Sequence, residues 1–361
     1  MRTAEDDIRY MAQALRLARF GLNTTSPNPR VGCVLVRDGQ VIAEGWHQRA
    51  GEAHAEADAL KRAGESARGA TAYVTLEPCS HHGRTPPCAD ALIRAGVIRV
   101  VCASEDPNPQ VAGKGIARLR DAGVEVRSGV LAGEAIALNA GFFSRMQRGR
   151  PRVVCKMAMS LDGRTAMASG ESKWITGEAA RADVQRLRAR SCAVVTGAGT
   201  VLADDPRLDV REASRQPLRV VVDSALRTTA VARVLSPPGA VLLAHATDPE
   251  TKAVALQAAG AMLLRVPGED RRVDLHALLA ALADRECNEV LLESGATLAG
   301  AFAQAGLIDE YRFYMAPVLL GSSARPLLEL PFTQMAERLA LRITAIDAVG
   351  DDWRISALPH A

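Results

Sequence analysis

Aromatic residues are scarce. Three Trp, four Tyr and six Phe make up 4% of the 361 residues, so the cores must be built from Val, Leu, Ile and Ala. The same scarcity removes the stacking platforms on which single-stranded nucleic acid is held. Charge of one sign is lacking too: 44 Lys and Arg against 41 Asp and Glu leave a formal +3, with none of the basic stripe of a general nucleic-acid binder. No apolar run approaches the length of a membrane span. The opening Met1-Arg2-Thr3-Ala4-Glu5-Asp6-Asp7 is acidic and has no apolar stretch of the kind a signal peptide carries, so no secretory signal is expected. Seven cysteines, an odd number in a long chain, form no disulfide framework and point to a reducing compartment. The expectation is a cytoplasmic protein without membrane or nucleic-acid partners.

What is present is globular: 48% hydrophobic against 24% charged residues, in a chain too long for one ordinary core. The apolar spacing predicts a helix over Glu5–Phe20, capped by Thr3 and ended by Gly21. Strands are expected at Val31–Val36 and Val41–Trp46, turning at Asp38-Gly39. A helix Ala53–Ala63, a strand Ala72–Leu76, a Pro/Cys/His loop Glu77–Cys88 and a short helix to Ala95 follow. A strand Arg99–Ala103, a helix Gly115–Ala122 and a helical stretch Glu134–Gln147 complete this half. The basic break Arg148-Gly149-Arg150-Pro151-Arg152 divides the chain into domains 1–148 and 149–361.

The second half alternates again. Its expected strands are Val153–Met157, Ala193–Val195, Val220–Val222, Val241–Ala244, Met262–Val266, Glu289–Leu292 and Glu310–Met315. Its expected helices are Glu178–Arg190, Thr251–Ala259, Leu275–Ala283 and Thr297–Ala305.

The chemistry concentrates in His54-Ala55-Glu56, Pro78-Cys79 and Pro87-Cys88. Two thiolates and an imidazole are the ligand set of a catalytic zinc with its fourth position open to water, one ion per chain. Glu56 fits the proton shuttle that sits beside such a metal without binding it. Residues i and i+2 lie about 200° apart around a helix, so His54 and Glu56 converge only if the metal sits off the helix amino terminus. A closed structural site with His81 or His82 as extra ligands is the alternative, and eight residues between the cysteines depart from the usual Pro-Cys-x-x-Cys. In the second half, Thr196-Gly197-Ala198-Gly199-Thr200 and Glu293-Ser294-Gly295-Ala296-Thr297 are small-residue turns after strands. Each suits a phosphate site and a plain tight turn equally.

Three strings resemble the bifunctional deaminase/reductase family of riboflavin biosynthesis: Ser26-Pro27-Asn28-Pro29-Arg30-Val31-Gly32-Cys33, Gly51–Glu56, and Thr75–Cys88 with its long inter-cysteine loop. The likeness continues through Lys156–Arg164, Trp174-Ile175-Thr176, Thr200–Pro206 and Glu293–Leu298, nearly the whole chain in order. It implies a cytidine-deaminase-like α/β/α zinc domain followed by a dihydrofolate-reductase-like α/β domain. The first would hydrolyse the 2-amino group of a diaminopyrimidinone ribotide, with Glu56 relaying the proton. The second would use NADPH to reduce the ribosyl chain to ribityl.

Cofactor contacts implied by the resemblance are Ala158, Trp174, Thr200, Asp204, Ser224 and the run Gly295, Ala296, Thr297, Leu298, Ala299, Gly300 and Ala301. Substrate contacts are Ser172, Arg188, Leu208, Arg211 and Glu293; Lys156 is suspected at the reductive site, and His81 and His82 as loop or substrate contacts. Arg188 could equally be a solvated arginine of the run Arg181–Arg190, and Trp174 a core residue. A homo-oligomer acting on a small-molecule ribotide is expected. The rivals are a tRNA-type deaminase fused to a nucleotide-binding domain, and a structural zinc module on a nucleotide-binding scaffold.

Overall fold

A computed structural model describes residues 3–80, 86–211, 215–247 and 250–360. The chain divides into two compact units, Met1–Arg150 and Pro151–Ala361. Among the described residues no helix is long and apolar enough to cross a membrane.

In the first unit, α1 (Ala4–Ala18) starts at a reciprocal cap: Thr3 accepts the Asp6 N–H, and the Asp6 carboxylate accepts the Thr3 N–H. The strands β1 (Gly32–Arg37) and β2 (Gln40–Trp46) form the expected hairpin, followed by α2 (Ala55–Ala63) and β3 (Thr71–Val74). Then come α3 (Cys88–Arg94), β4 (Arg99–Cys102), α4 (Lys114–Asp121) and β5 (Glu125–Ser128). The sheet runs β2-β1-β3-β4-β5, with β3, β4 and β5 mutually parallel. The short polar β5 has no sequence signature of a strand; it is an edge, tied by Arg99 to Glu125 across the ladder at 2.8 Å.

The stretch expected as one helix over Glu134–Gln147 is two, α5 (Ala132–Leu138) and α6 (Ala140–Arg148). Asn139 breaks it, because its amide is fastened to the Arg30 backbone, accepting N–H at 2.8 Å and donating to C=O at 2.9 Å. A second polar tie is buried. Asp7 takes two bonds from Arg99 at 2.8 and 2.9 Å, one from Arg127 at 2.8 Å and one from the Tyr73 hydroxyl at 3.0 Å.

The second unit contains β6 (Arg152–Ser160), β7 (Arg164–Ala166), α7 (Glu178–Arg190), β8 (Ala193–Gly197), α8 (Ala198–Asp204) and β9 (Leu218–Val222). After these come β10 (Val241–His245), α9 (Glu250–Ala258), β11 (Met262–Arg265), α10 (Leu275–Asp284) and β12 (Glu289–Leu292). The unit closes with α11 (Ala296–Gln304), β13 (Glu310–Ala316), β14 (Arg325–Pro326), β15 (Leu341–Val349) and β16 (Asp352–Pro359). One sheet runs β11-β10-β9-β8-β12-β6-β13-β16-β15, and β7 pairs with β14 in a separate ribbon. The β15–β16 hairpin escaped sequence reading because a bulge at Thr344 interrupts its alternation: Ile343 pairs with Ala357, but Ala345 pairs with Ser356.

The path of the chain fixes where a ligand can enter. From β8 it moves outward to β9 through α8; from β12 it moves the other way, past β6, to β13 through α11. The adjacent carboxyl ends of β8 and β12 are therefore a topological switch point, where open α/β sheets hold their ligands.

The Asp7 tie generates a test of the first unit. Burial alone would raise this carboxyl, but Arg99, Tyr73 and Arg127 outweigh it and hold the group below the ordinary aspartate range. Its contribution is thus present above the unfolded pKa of about 4 and lost as pH falls through the lower folded value. Asp7→Asn should cost about 3 kcal/mol in urea unfolding at neutral pH, and the gap to the parent should narrow on acidification. An unchanged gap at low pH would contradict the role of the charge.

Candidate active sites

Three potential ligand atoms converge in the first unit. His54 Nδ1 lies 3.7 Å from Cys79 Sγ and 3.3 Å from Cys88 Sγ, and all three atoms fall within 4.8 Å of one another. A tetrahedral zinc with ordinary Zn–S and Zn–N bonds spaces its ligands roughly 3.5 Å apart, so the set fits that ion. His54 escapes the helical-face objection because it is not in the helix. It is the N-cap residue of α2, with extended backbone (φ −71°, ψ 162°), and the helix starts at Ala55 rather than the expected Ala53. Cys88 opens α3, and its N–H donates to Cys79 Sγ at 3.4 Å. The Cys88 thiol and the His54 ring hold the Cys79 sulfur well below the ordinary thiol range. Glu56, in the first turn of α2, is 3% exposed, and burial pushes its carboxyl up to about 7.

His81 and His82 lie outside the described residues. Cys33, Cys102, Cys155 and Cys287 are buried in the two cores and Cys192 packs partly buried beside them, as expected of thiols among apolar neighbours.

Two supports of this site carried no role in the sequence reading. Glu77 is buried, and its carboxylate accepts four backbone N–H groups: Gly113 and Gly115 at 2.9 Å, Asp106 and Ile116 at 3.2 Å. The start of α4 is thereby clamped onto the segment that leads to Cys79. Gly115 permits the approach, since a Cβ there would stand 1.9 Å from the Pro78 carbonyl oxygen. The signal was a charge inside Thr-Leu-Glu-Pro-Cys, where a strand end would ordinarily be apolar. The second support is His47, whose ring pairs with Asn28 at 3.1 Å and with the Ala53 carbonyl at 2.9 Å. It meets the His54 ring edge-on, centroids 5.5 Å apart.

In the second unit a cleft of about 1610 Å³ opens at the switch point. The small-residue turns form its floor side by side: Gly295 N–H donates to Thr200 Oγ1 at 3.1 Å. The first is not a plain turn, since α8 begins at Ala198; Gly295 is the N-cap of α11. Both helices begin at the cleft, with Ala198 and Gly199 of one and Ala296 and Thr297 of the other in its lining. Of the residues expected around the cofactor, Ala158, Trp174, Thr200, Asp204, Ser224, Gly295, Ala296, Thr297, Leu298 and Ala301 line it. Ala299 and Gly300 do not. Ala299 is fully buried in the core, and Gly300 faces the loop at Glu329, whose carbonyl oxygen would lie 2.2 Å from a Cβ. Trp174 is 70% exposed beneath the Arg181 guanidinium, which rules out a core role.

Ser172, Arg188, Leu208, Arg211, Glu293 and Lys156 also line the cleft. Lys156 lies inside β6 rather than at its end. Arg188 is no solvated arginine: it forks onto Glu293 at 2.8 and 2.9 Å and donates to the Asp209 carbonyl at 3.2 Å. Its three nitrogens are thus committed within the protein. Lys156 Nζ stands 3.8 Å from Glu293. Burial would raise the Glu293 carboxyl, but Arg188 and Lys156 outweigh it and hold it down to about 2. Ser172 reaches Asp204 at 3.4 Å. Arg211 is exposed, and its guanidinium has no partner among the described residues.

Residues 4–104 match the cytidine and deoxycytidylate deaminase zinc-binding region, and residues 151–355 match the RibD C-terminal domain. The chain is 50% identical to the riboflavin biosynthesis protein RibD of Escherichia coli, covering 96% of this chain and 97% of that protein. A solved structure of Acinetobacter baumannii RibD superposes with a TM-score of 0.91 at 47% identity, covering 99% of both chains. A diaminohydroxyphosphoribosylaminopyrimidine deaminase/5-amino-6-(5-phosphoribosylamino)uracil reductase from Thermotoga maritima superposes with a TM-score of 0.88 at 31% identity, again over 99% of both.

Replacing Cys79 or Cys88 with Ser should leave a purified protein without the roughly one zinc per chain of the parent. Glu77→Gln should keep the ligands but weaken zinc retention against a chelator by roughly tenfold or more. Full metal content in both serine variants, or undiminished retention in Glu77→Gln, would show that these residues do not build the site.

Proposed function

Because the chain belongs to the riboflavin-biosynthesis family that joins a deaminase to a reductase, we propose that it performs both reactions on one pyrimidine ribotide, each in its own unit. The observation that carries the reading is the pairing of two unlike sites. One is a His/Cys/Cys ligand set beside a buried carboxylate; the other is a switch-point cleft walled by Lys156, Glu293 and two helix amino termini.

In the first unit, His54, Cys79 and Cys88 would hold zinc. Bound there, the ion supplies a water acidified to near neutrality. Glu56 would relay the water's two protons, one to the ring nitrogen as the oxygen adds to C2 and the other to the 2-amino nitrogen of the diaminopyrimidinone ribotide. The exocyclic C2–N bond would break, with ammonia leaving and the added oxygen staying as the C2 carbonyl. Burial of Glu56 suits this task, since a carboxyl poised near neutrality both accepts and gives back a proton. Glu77 and His47 position the ligands and do not touch the substrate.

In the second unit, the turns at Thr200 and Gly295–Leu298 would hold NADPH. When bound it would supply a hydride to the ribosyl C1′, while the C1′–O4′ bond breaks and O4′ takes a proton, giving the ribityl chain. Glu293, anionic between Arg188 and Lys156, orders the reducing end of the cleft, and the Lys156 ammonium can donate to a substrate oxygen. Arg211 is the forked donor left for the ribose phosphate; Arg188 serves Glu293 instead. Ser172, through Asp204, and Leu208 complete the substrate wall.

The sharpest test is Glu56→Gln, which keeps size and removes proton acceptance. Zinc should stay bound, and deaminase turnover should fall by at least roughly 10²-fold. Reduction of supplied deaminated intermediate should stay at the parent's rate, an internal control against misfolding. Loss of zinc would make Glu56 a ligand; full deamination with zinc retained would place the proton shuttle elsewhere.

A further inference from the structure

NADPH and NADH differ by one phosphate on the adenosine ribose, so discrimination requires cations at the adenosine end of the cleft. The strand order identifies that end. Strand carboxyl ends run β9, β8, β12, β6 along the cleft. Lys156 and Glu293 stand on β6 and just past β12, and the helix amino termini suited to a pyrophosphate follow β8 and β12. With the nicotinamide beside Lys156 and Glu293, the adenosine falls toward β9, about 10 Å, two strand spacings, from β12.

There the wall is made by Val222, Ser224 and Arg227 after β9 and by Arg272, Val273 and Leu275 ahead of α10. The two segments are tied, Val273 N–H donating to Ser224 Oγ at 3.2 Å. The apolar members offer a surface for a base, and the arginines stand exposed among them. Neither guanidinium has a hydrogen bond or ion pair among the described residues, whereas Arg188 is committed to Glu293. A site for the unphosphorylated cofactor would set a carboxylate here against the ribose 2′-hydroxyl. These two wall segments hold two carboxylates, and both are engaged elsewhere: Asp223 is 1% exposed and accepts the Thr228 N–H and hydroxyl, both at 2.7 Å, while Asp274 caps α10, accepting the His276 N–H at 2.8 Å and the Ala277 N–H at 3.0 Å.

We infer that Arg227 and Arg272 grip the 2′-phosphate of the cofactor and make the reductase specific for NADPH over NADH. This rests on the assignment of the cleft to a pyridine dinucleotide. Forked guanidinium donors suit a phosphate dianion, and each such contact is charge-assisted.

The test is equilibrium binding of NADPH and of NADH to the zinc-loaded full chain, by nicotinamide fluorescence, for the parent, Arg227→Ala, Arg272→Ala and the double variant. The parent should prefer NADPH. Each single variant should weaken NADPH by roughly 10- to 100-fold, the range of a hydrogen bond to a charged group, and leave NADH unchanged; the double variant should abolish the preference. Adenosine 2′,5′-bisphosphate should follow NADPH, and adenosine 5′-monophosphate should follow NADH. A full preference for NADPH in the double variant would overturn the inference and leave the cleft assignment standing. Equal loss of both cofactors, not restored for NADPH by Arg227→Lys or Arg272→Lys, would overturn it too. A parent without preference, or binding neither cofactor, would bring down the cofactor assignment and the inference with it.

Discussion

A helix leaves its first N–H groups unpaired, and something electron-rich must meet them. In this chain the site-forming helices turn those ends toward the places where negative charge is required. Cys79 sulfur accepts the N–H of Cys88 at the start of α3, and the Glu77 carboxylate accepts N–H groups around the start of α4. His54 caps α2 without joining it, which frees its ring to face the two sulfurs while Glu56 points from the first turn. In the second unit α8 and α11 begin side by side at the switch point, bridged from Gly295 to Thr200. Sulfur and carboxylate are two answers to one demand of the backbone, and the phosphates of the proposed cofactor would be a third.

The two sites distribute their residues differently, and this decides how each fails. The metal site draws its ligands from two short stretches, so its geometry depends on clamps on those stretches: Glu77 behind Cys79, and His47 between Asn28 and Ala53. The cleft collects side chains from β6, α7, α8, α11 and the connections between them, and its polar end carries its own ion cluster. Lys156 and Arg188 bring two cations to the single anion Glu293, so the group stays ionised despite burial. Removing either cation would leave a buried charge short of a partner, a far larger disturbance than losing a surface pair.

Much of this was legible in the sequence because it is local. His-Ala-Glu, Pro-Cys and Pro-Cys carry their chemistry in their own spacing, and strands such as Glu289–Leu292 lie where their apolar runs say. What was hidden depends on distant partners. The Asn139 break needs Arg30, the β5 edge needs Arg99, and the Thr344 bulge needs the register of β16. The fork from Arg188 to Glu293 joins residues 105 apart, so in the sequence a solvated arginine of the run Arg181–Arg190 stayed open as its alternative. Ala299 and Gly300 were carried along by a continuous motif, whereas the helical period turns these two consecutive residues away from the cleft and brings Ala301 back to it. For Trp174 the sequence left a core role open beside a cofactor contact, and it stands exposed.

The account stands or falls on two chemistries in one chain acting in sequence. Its most direct measurement supplies the diaminopyrimidinone ribotide and NADPH to the zinc-loaded protein and records ammonia release and NADPH oxidation in the same reaction. Ammonia should appear first, NADPH oxidation should follow after a lag, and the two totals should become equal. Ammonia without NADPH oxidation, or NADPH oxidation without ammonia, would contradict it.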